Sequence, residues 1–131
     1  MDRLAGLSSY RDFEVFKKAY QLSLELHKFS VDLPHIEQRA LADQMRRSSK
    51  SVCVNFAEGF AKQKYSNNEF RKYLVISLGS ANETIVWLNY CKDLKYLEEL
   101  QYIIWSKGYE EVARMIQGLI KSLNKSGDSS R

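Results

Sequence analysis

Apolar residues recur every three or four positions in four long segments of the chain, the period of an amphipathic helix. In the first, about Asp12 to Val31, Val15, Ala19, Leu22, Leu26 and Phe29 share one stripe. Phe13, Phe16, Tyr20 and Leu24 form a second stripe, about 145° away at 100° per residue. A helix facing only its own bundle needs one apolar stripe. The second therefore predicts an oligomer interface at Phe13, Phe16, Tyr20 and Leu24. The next segment, about Ile36 to Ala61, turns Leu41, Met45, Ser48, Val52, Phe56 and Gly59 inward. Ser66 followed by Glu69 is a capping box that opens the third helix. Between Tyr73 and Cys91 the only charge is Glu83, with Leu74, Leu78, Ala81, Ile85 and Leu88 on one stripe. Ile76 and Trp87 lie well away from that stripe, so this helix too must be covered on more than one side. The fourth segment, about Glu98 to Leu123, carries Trp105, Tyr109, Val112, Ile116, Leu119 and Leu123. Residues 124–131 read as a polar, disordered tail.

Short connections and the absence of a repeat make this one all-α domain over residues 1–131, an antiparallel up-and-down four-helix bundle ordered over about residues 10–123. Its 131 residues suit a single core, and one proline with six glycines is too few for a turn-rich β domain. No run approaches the roughly 18 apolar residues of a membrane span. The opening residues MDRLAGLSSYRDFEVF lack the apolar stretch of a secretory signal. Cys53 and Cys91 are far apart and form no C-x-x-C, so they read as buried, reduced thiols of a cytoplasmic protein.

Ser48, Gly59 and Gly79 keep parts of the second and third helices small, which predicts close packing there. Asn55, Glu58, Ser80 and Glu83 are placed to meet in the same seam. A buried carboxylate must be paired, hydrogen-bonded or protonated, so a structural polar network is expected, with a metal or ligand site as the lesser alternative. Neither His27 nor His35 follows a glutamate by three residues, so the Glu-x-x-His signature of di-iron bundles is missing. No G-x-S-x-G or Walker A loop is present either. No enzymatic activity, metal or cofactor is expected.

Net charge is +4, and its distribution matters more than its size. Residues 45–72 hold seven basic and two acidic side chains, so the whole excess sits in one segment. Arg39, Arg46 and Lys50 are spaced to fall on one line of the second helix, with Arg47 beside them. Lys62, Lys64, Arg71 and Lys72 cluster around the following turn. These eight residues are the candidate contacts to nucleic-acid phosphates. Two other readings compete: a simply solvated face, or pairing of Arg46 or Arg47 with Asp43 or with an acid across a subunit interface.

The run Gln44-Met-Arg-Arg-Ser-Ser-Lys-Ser-Val-Cys-Val-Asn-Phe-Ala-Glu-Gly59 resembles the signature of four-helix bundle proteins encoded in intervening sequences of bacterial 23S rRNA genes. Further matches lie in Tyr10–Ala19, Leu33-Pro34, Asn68-Glu69-Phe70 and Leu78-Gly79-Ser80, so the similarity spans about residues 10–123. Ser48-Ser49 departs from it, since the family more often has alanines there. The resemblance implies a homopentamer with no established enzymatic activity. Related bundles include the basic pentameric accessory proteins of diversity-generating retroelements, which bind nucleic acid and a reverse transcriptase. Arg46 and Arg47 fall at the family's basic pair, and no catalytic residue carries over. The expectation is a nucleic-acid-binding oligomer, with RNA or DNA as partner. The alternative is an oligomeric protein-interaction scaffold, for instance a reverse-transcriptase accessory protein.

Overall fold

Local capping signals set where the helices begin and end. The computed structural model describes residues 8–128. Ser9 caps a 3₁₀ turn at Tyr10–Asp12, its hydroxyl accepting from the Arg11 amide while Asp12 accepts from the amide of Ser9. Helix α1 follows at Glu14–Val31. Helix α2 is Leu41–Gln63, α3 Asn67–Asp93 and α4 Glu99–Asp128. The Ser66 hydroxyl accepts from the Glu69 amide at 3.2 Å, so the expected cap of α3 forms. Each helix packs on its sequence neighbour, and α1 also packs on α4, while α1 and α3 occupy opposite corners. The molecule is an up-and-down four-helix bundle, with no strand among the described residues.

Two boundaries differ from the sequence reading. Helix α2 begins five residues later than expected, because Pro34 starts a separate 3₁₀ turn at His35–Glu37. Ile36, counted into the helix, is 80% exposed in that turn. Helix α4 runs on to Asp128, so part of the expected disordered tail is helical, and residues 129–131 lie outside the described residues.

The four inward stripes meet in one core. Leu26, Met45, Phe56, Phe70, Leu74, Leu88, Tyr109 and Ile116 are each essentially inaccessible. Full burial of one such apolar side chain contributes about 1.5–3 kcal/mol. At the N-terminal end of α1 the rings of Phe13, Phe56, Phe60 and Phe70 contact one another edge-on at 5.1–6.0 Å between centroids. Phe13, assigned above to an oligomer interface, is therefore a core residue: its ring closes the end of the bundle. Trp105 ties α4 to α1, its indole N–H donating to the Glu25 carboxylate at 2.8 Å.

The α2–α3 seam is where backbones come closest. A Cβ added to Gly59 would lie 2.7 Å from the Tyr73 Cβ and 3.3 Å from the Phe70 carbonyl oxygen. Gly59 is thus a close-packing residue, as expected. Gly79 is not: it is exposed, and an added Cβ would meet nothing within 4 Å. Gly108, whose role the sequence did not signal, does the equivalent work between α4 and α1, with Leu22 only 3.0 Å from its would-be Cβ.

Candidate functional site

Hydroxyl groups line the α2–α3 seam. Ser48 is buried and hydrogen-bonds Thr84 at 2.8 Å, and the Ser77 hydroxyl donates to the Val52 carbonyl at 2.7 Å. Ser51 and Ser80 meet at 2.8 Å, and the Asn55 amide donates to both the carbonyl and the hydroxyl of Ser51 at 2.9 Å. A polar network across the seam therefore exists, but it is built from serine, threonine and asparagine. Glu58 and Glu83, expected inside it, are exposed. Glu58 reaches only Lys62, at 4.0 Å, while Glu83 accepts from the Trp87 indole at 3.0 Å. The reason is their place along the seam: Glu58 shares the direction of Ser51 to within about 20°, and Glu83 lines an opening with Ser51 and Ser80, so both sit at the solvent rim, where hydration costs nothing. Ser77 and Thr84, missed at the sequence level, carry the buried part, since a hydroxyl can bond a backbone carbonyl within its own or a facing helix.

The basic residues are divided into two groups by the length of α2, since Arg46 and Lys62 are sixteen residues apart, about 24 Å at 1.5 Å per residue. In the first group, Arg39 precedes α2 and so lies outside the helical line drawn through Arg46 and Lys50. Arg46 is committed to the fold. Its guanidinium donates to the Ser30 hydroxyl at 2.9 Å, the Gln38 side-chain oxygen at 3.2 Å and the Gln38 carbonyl at 2.9 Å. The Gln38 amide in turn donates to the carbonyls of Ser30 and Leu33, each at 2.9 Å. This clamp satisfies carbonyls that the end of α1 leaves without helical partners, and it replaces the pairing with Asp43 considered above. Gln38 gave no signal in the sequence beyond its place after the proline.

Arg39 and Arg47 are exposed and make no hydrogen bond or ion pair among the described residues. The Lys50 ammonium lies 2.8 Å from the His27 imidazole. Partial burial, and then the charge of Arg46, lower the Lys50 pKa from its ordinary value. In the second group, Lys64 lies over the Tyr65 ring at 5.3 Å. Arg71 donates to the side-chain oxygens of Asn68 and Asn124. Lys62 and Lys72 face carboxylates, Glu58 at 4.0 Å and Glu69 at 3.8 Å, in exposed pairs of the kind worth under about 1 kcal/mol. Among the eight candidate phosphate contacts, only these two lysines have an acidic partner in the described structure.

Of the remaining interface candidates on α1, Phe16 is half-buried against Phe56, while Tyr20 and Leu24 are 51% and 41% exposed. Cys53 and Cys91 are free thiols in the core, pushed by burial up to about 11 and about 12. No group of three or more histidine, cysteine or acidic side chains among the described residues could hold a metal ion. No described helix is long and apolar enough to cross a membrane.

The model of the 23S rRNA-intervening sequence protein family matches residues 11–118. The chain belongs to that family. It is also similar to the crystal structure of a protein of unknown function from the S23 ribosomal protein family of Bacteroides thetaiotaomicron. That similarity has a TM-score of 0.70 at 28% identity and covers 82% of this chain and 98% of the other. No curated protein matches the chain. The family's matched span contains the α1–α2 clamp, the hydroxyl seam and both basic groups.

Proposed function

We propose that this member of the 23S rRNA-intervening sequence family is a non-enzymatic subunit of a homo-oligomer, a homopentamer as the resemblance implies, that binds nucleic acid through phosphate contacts. The observation that carries this reading is the unneutralised cationic surface. Arg39, Arg47, Lys50, Lys64 and Arg71 have no carboxylate partner in the described structure. Repeated in each subunit of a ring, two such groups per chain give a band of positive potential that attracts a polyanion without reading its sequence. Arg46 is left out of the contact set because its guanidinium is occupied within the chain.

Wild type and an Arg47→Ala/Lys64→Ala variant are titrated with RNA and duplex DNA across a salt series. Each phosphate contact removed should make the log–log salt slope shallower, by about 0.9 for duplex DNA and about 0.7 for single strands. Helix content and mass of the assembly should not change. Absence of binding by wild type at low salt refutes the proposal. A second reading, an oligomeric scaffold that engages proteins such as a reverse transcriptase, then takes its place. It draws support from Leu100 and Ile104, which are 71% and 52% exposed on α4.

A further inference from the structure

Tyr65 is the most exposed aromatic side chain among the described residues, at 80%. The other exposed tyrosines lean on neighbouring rings, Tyr20 on Phe16 and Tyr90 on Trp87, whereas Tyr65 contacts no ring among the described residues. Its backbone is nonetheless fixed. The amides of Tyr65 and Ser66 both donate to the Lys62 carbonyl, at 3.0 and 3.1 Å, and the Ser66 hydroxyl caps α3 on the far side. A rigid turn thus holds out an aromatic face that the core does not use. Beside the ring opens a pocket of about 310 Å³, lined also by Gln63, Lys64, Ser66, Asn67 and Asn68, at the small end of ligand sites. Three amide side chains bring both donors and acceptors to it. The Gln63 amide donates to the Asn67 side-chain oxygen at 3.1 Å, and the Asn68 oxygen accepts from Arg71. The Gln63 oxygen and the amide nitrogens of Asn67 and Asn68 keep their bonding capacity for a ligand. The acids closest in sequence, Glu58 and Glu69, face Lys62 and Lys72, which leaves the Lys64 ammonium without a carboxylate, 5.3 Å from the ring centroid.

We infer that the α2–α3 turn is a single-strand subsite: an unpaired nucleobase stacks on Tyr65, its edge toward the Gln63, Asn67 and Asn68 amides and its phosphate toward Lys64. The inference rests on the nucleic-acid reading above and specifies the form of the strand that is taken. A flat π face, an edge of mixed donors and acceptors and an adjacent anion are the three features of a nucleotide, and the turn presents a counterpart to each. An apolar peptide side chain on the same ring would leave the amides without partners. Stacking needs an open base face, which a duplex hides between neighbouring pairs. Every base has such a face, so the ring selects single strands without selecting a sequence.

The test titrates full-length wild type, Tyr65→Ala, Tyr65→Phe and Lys64→Ala with three probes across a salt series. The probes are oligothymidylate, an abasic DNA strand of the same length, and a long DNA duplex. Tyr65→Ala should bind oligothymidylate about 5- to 150-fold more weakly than wild type, with an unchanged salt slope. Tyr65→Phe keeps the ring and should bind as wild type does. Lys64→Ala should make the slope shallower by about 0.7. Wild type should bind the abasic strand as weakly as Tyr65→Ala binds oligothymidylate, and the duplex should not distinguish wild type from Tyr65→Ala. Should Tyr65→Ala lose helix by circular dichroism, the abasic strand decides with the protein untouched. Equal affinity of wild type for the abasic strand and oligothymidylate overturns the inference and leaves the phosphate reading standing, as does an unaltered Tyr65→Ala. An equal loss on strand and duplex also overturns it, since Tyr65 then only props Lys64. A wild type that binds none of the probes at low salt overturns the nucleic-acid reading and this inference together.

Discussion

Gly59 and Gly79 support opposite predictions for the same substitution, alanine. In a helix interior, replacing glycine by alanine stabilises by about 0.8–1.0 kcal/mol. At Gly79 nothing lies within 4 Å of the new methyl group, so that gain should be realised in full. At Gly59 the methyl would stand 2.7 Å from the Tyr73 Cβ, an atom fixed to its own backbone, and 3.3 Å from the Phe70 carbonyl oxygen. Helices α2 and α3 must then separate, and overpacking of this kind costs about 1–3 kcal/mol. The net effect at Gly59 is a loss of about 1 kcal/mol, which separates the two variants by about 2 kcal/mol. With an m-value of about 2 kcal/mol/M, their urea midpoints should differ by about 1 M. Both are measured by far-ultraviolet circular dichroism at the same chain concentration. A Gly59→Ala midpoint at or above that of Gly79→Ala would refute the assignment of Gly59 as the tight point of the seam.

Arg46→Met keeps the aliphatic stem and removes three hydrogen bonds, so it should destabilise by about 2–3 kcal/mol in urea unfolding, while Arg47→Ala stays within about 0.5 kcal/mol of wild type. Lys95 has φ 70° at the turn after α3, where the Tyr96 amide donates to the Cys91 carbonyl and the Lys95 amide to that of Lys92. Glycine is the usual residue at that position of the motif, so Lys95→Gly should raise stability by about 0.5–1 kcal/mol in the same assay. Burial raises the thiol pKa from 9.0 to about 11 at Cys53 and about 12 at Cys91. Protons are then released more readily by the unfolded chain. Stability is complete below pH 9 and falls as pH rises through the folded values, and a Cys53→Ala/Cys91→Ala variant should show a flatter alkaline limb in pH-dependent unfolding.

The inward stripes of all four helices are legible in the sequence because 3.6-residue periodicity needs no partner to define it. What the pattern cannot supply is the identity of the neighbour. Gly59 and Gly79 look alike on a helical wheel, yet one lies under Tyr73 and the other under nothing in the chain. Arg46 and Arg47 are adjacent in sequence, and a rotation of one residue decides which meets Ser30 and Gln38. Phe13 joins the outer stripe by angle alone, but it precedes α1, where the 3₁₀ turn redirects it onto Phe56 and Phe60. Glu58 and Glu83 were placed inside by their proximity to small residues. Both point along the seam but stop at its solvent rim, while the shorter Ser51 and Ser80 side chains meet across it.

The two indoles give the chain a pair of built-in optical reporters. Trp105 is 6% exposed, anchored to Glu25 and set edge-on to Phe29 at 5.4 Å, so its emission follows the opening of the α1–α4 contact. Trp87 is half-buried on α3, bonded to Glu83 and 5.8 Å from Tyr90, so its emission follows the hydration of the outer corner. With no other tryptophan in the sequence, a Trp87→Phe chain shines only from the interior and a Trp105→Phe chain only from the rim. Dilution that strips water-excluding neighbours from the rim while the interior stays closed would register in one colour and not the other, with no dye attached.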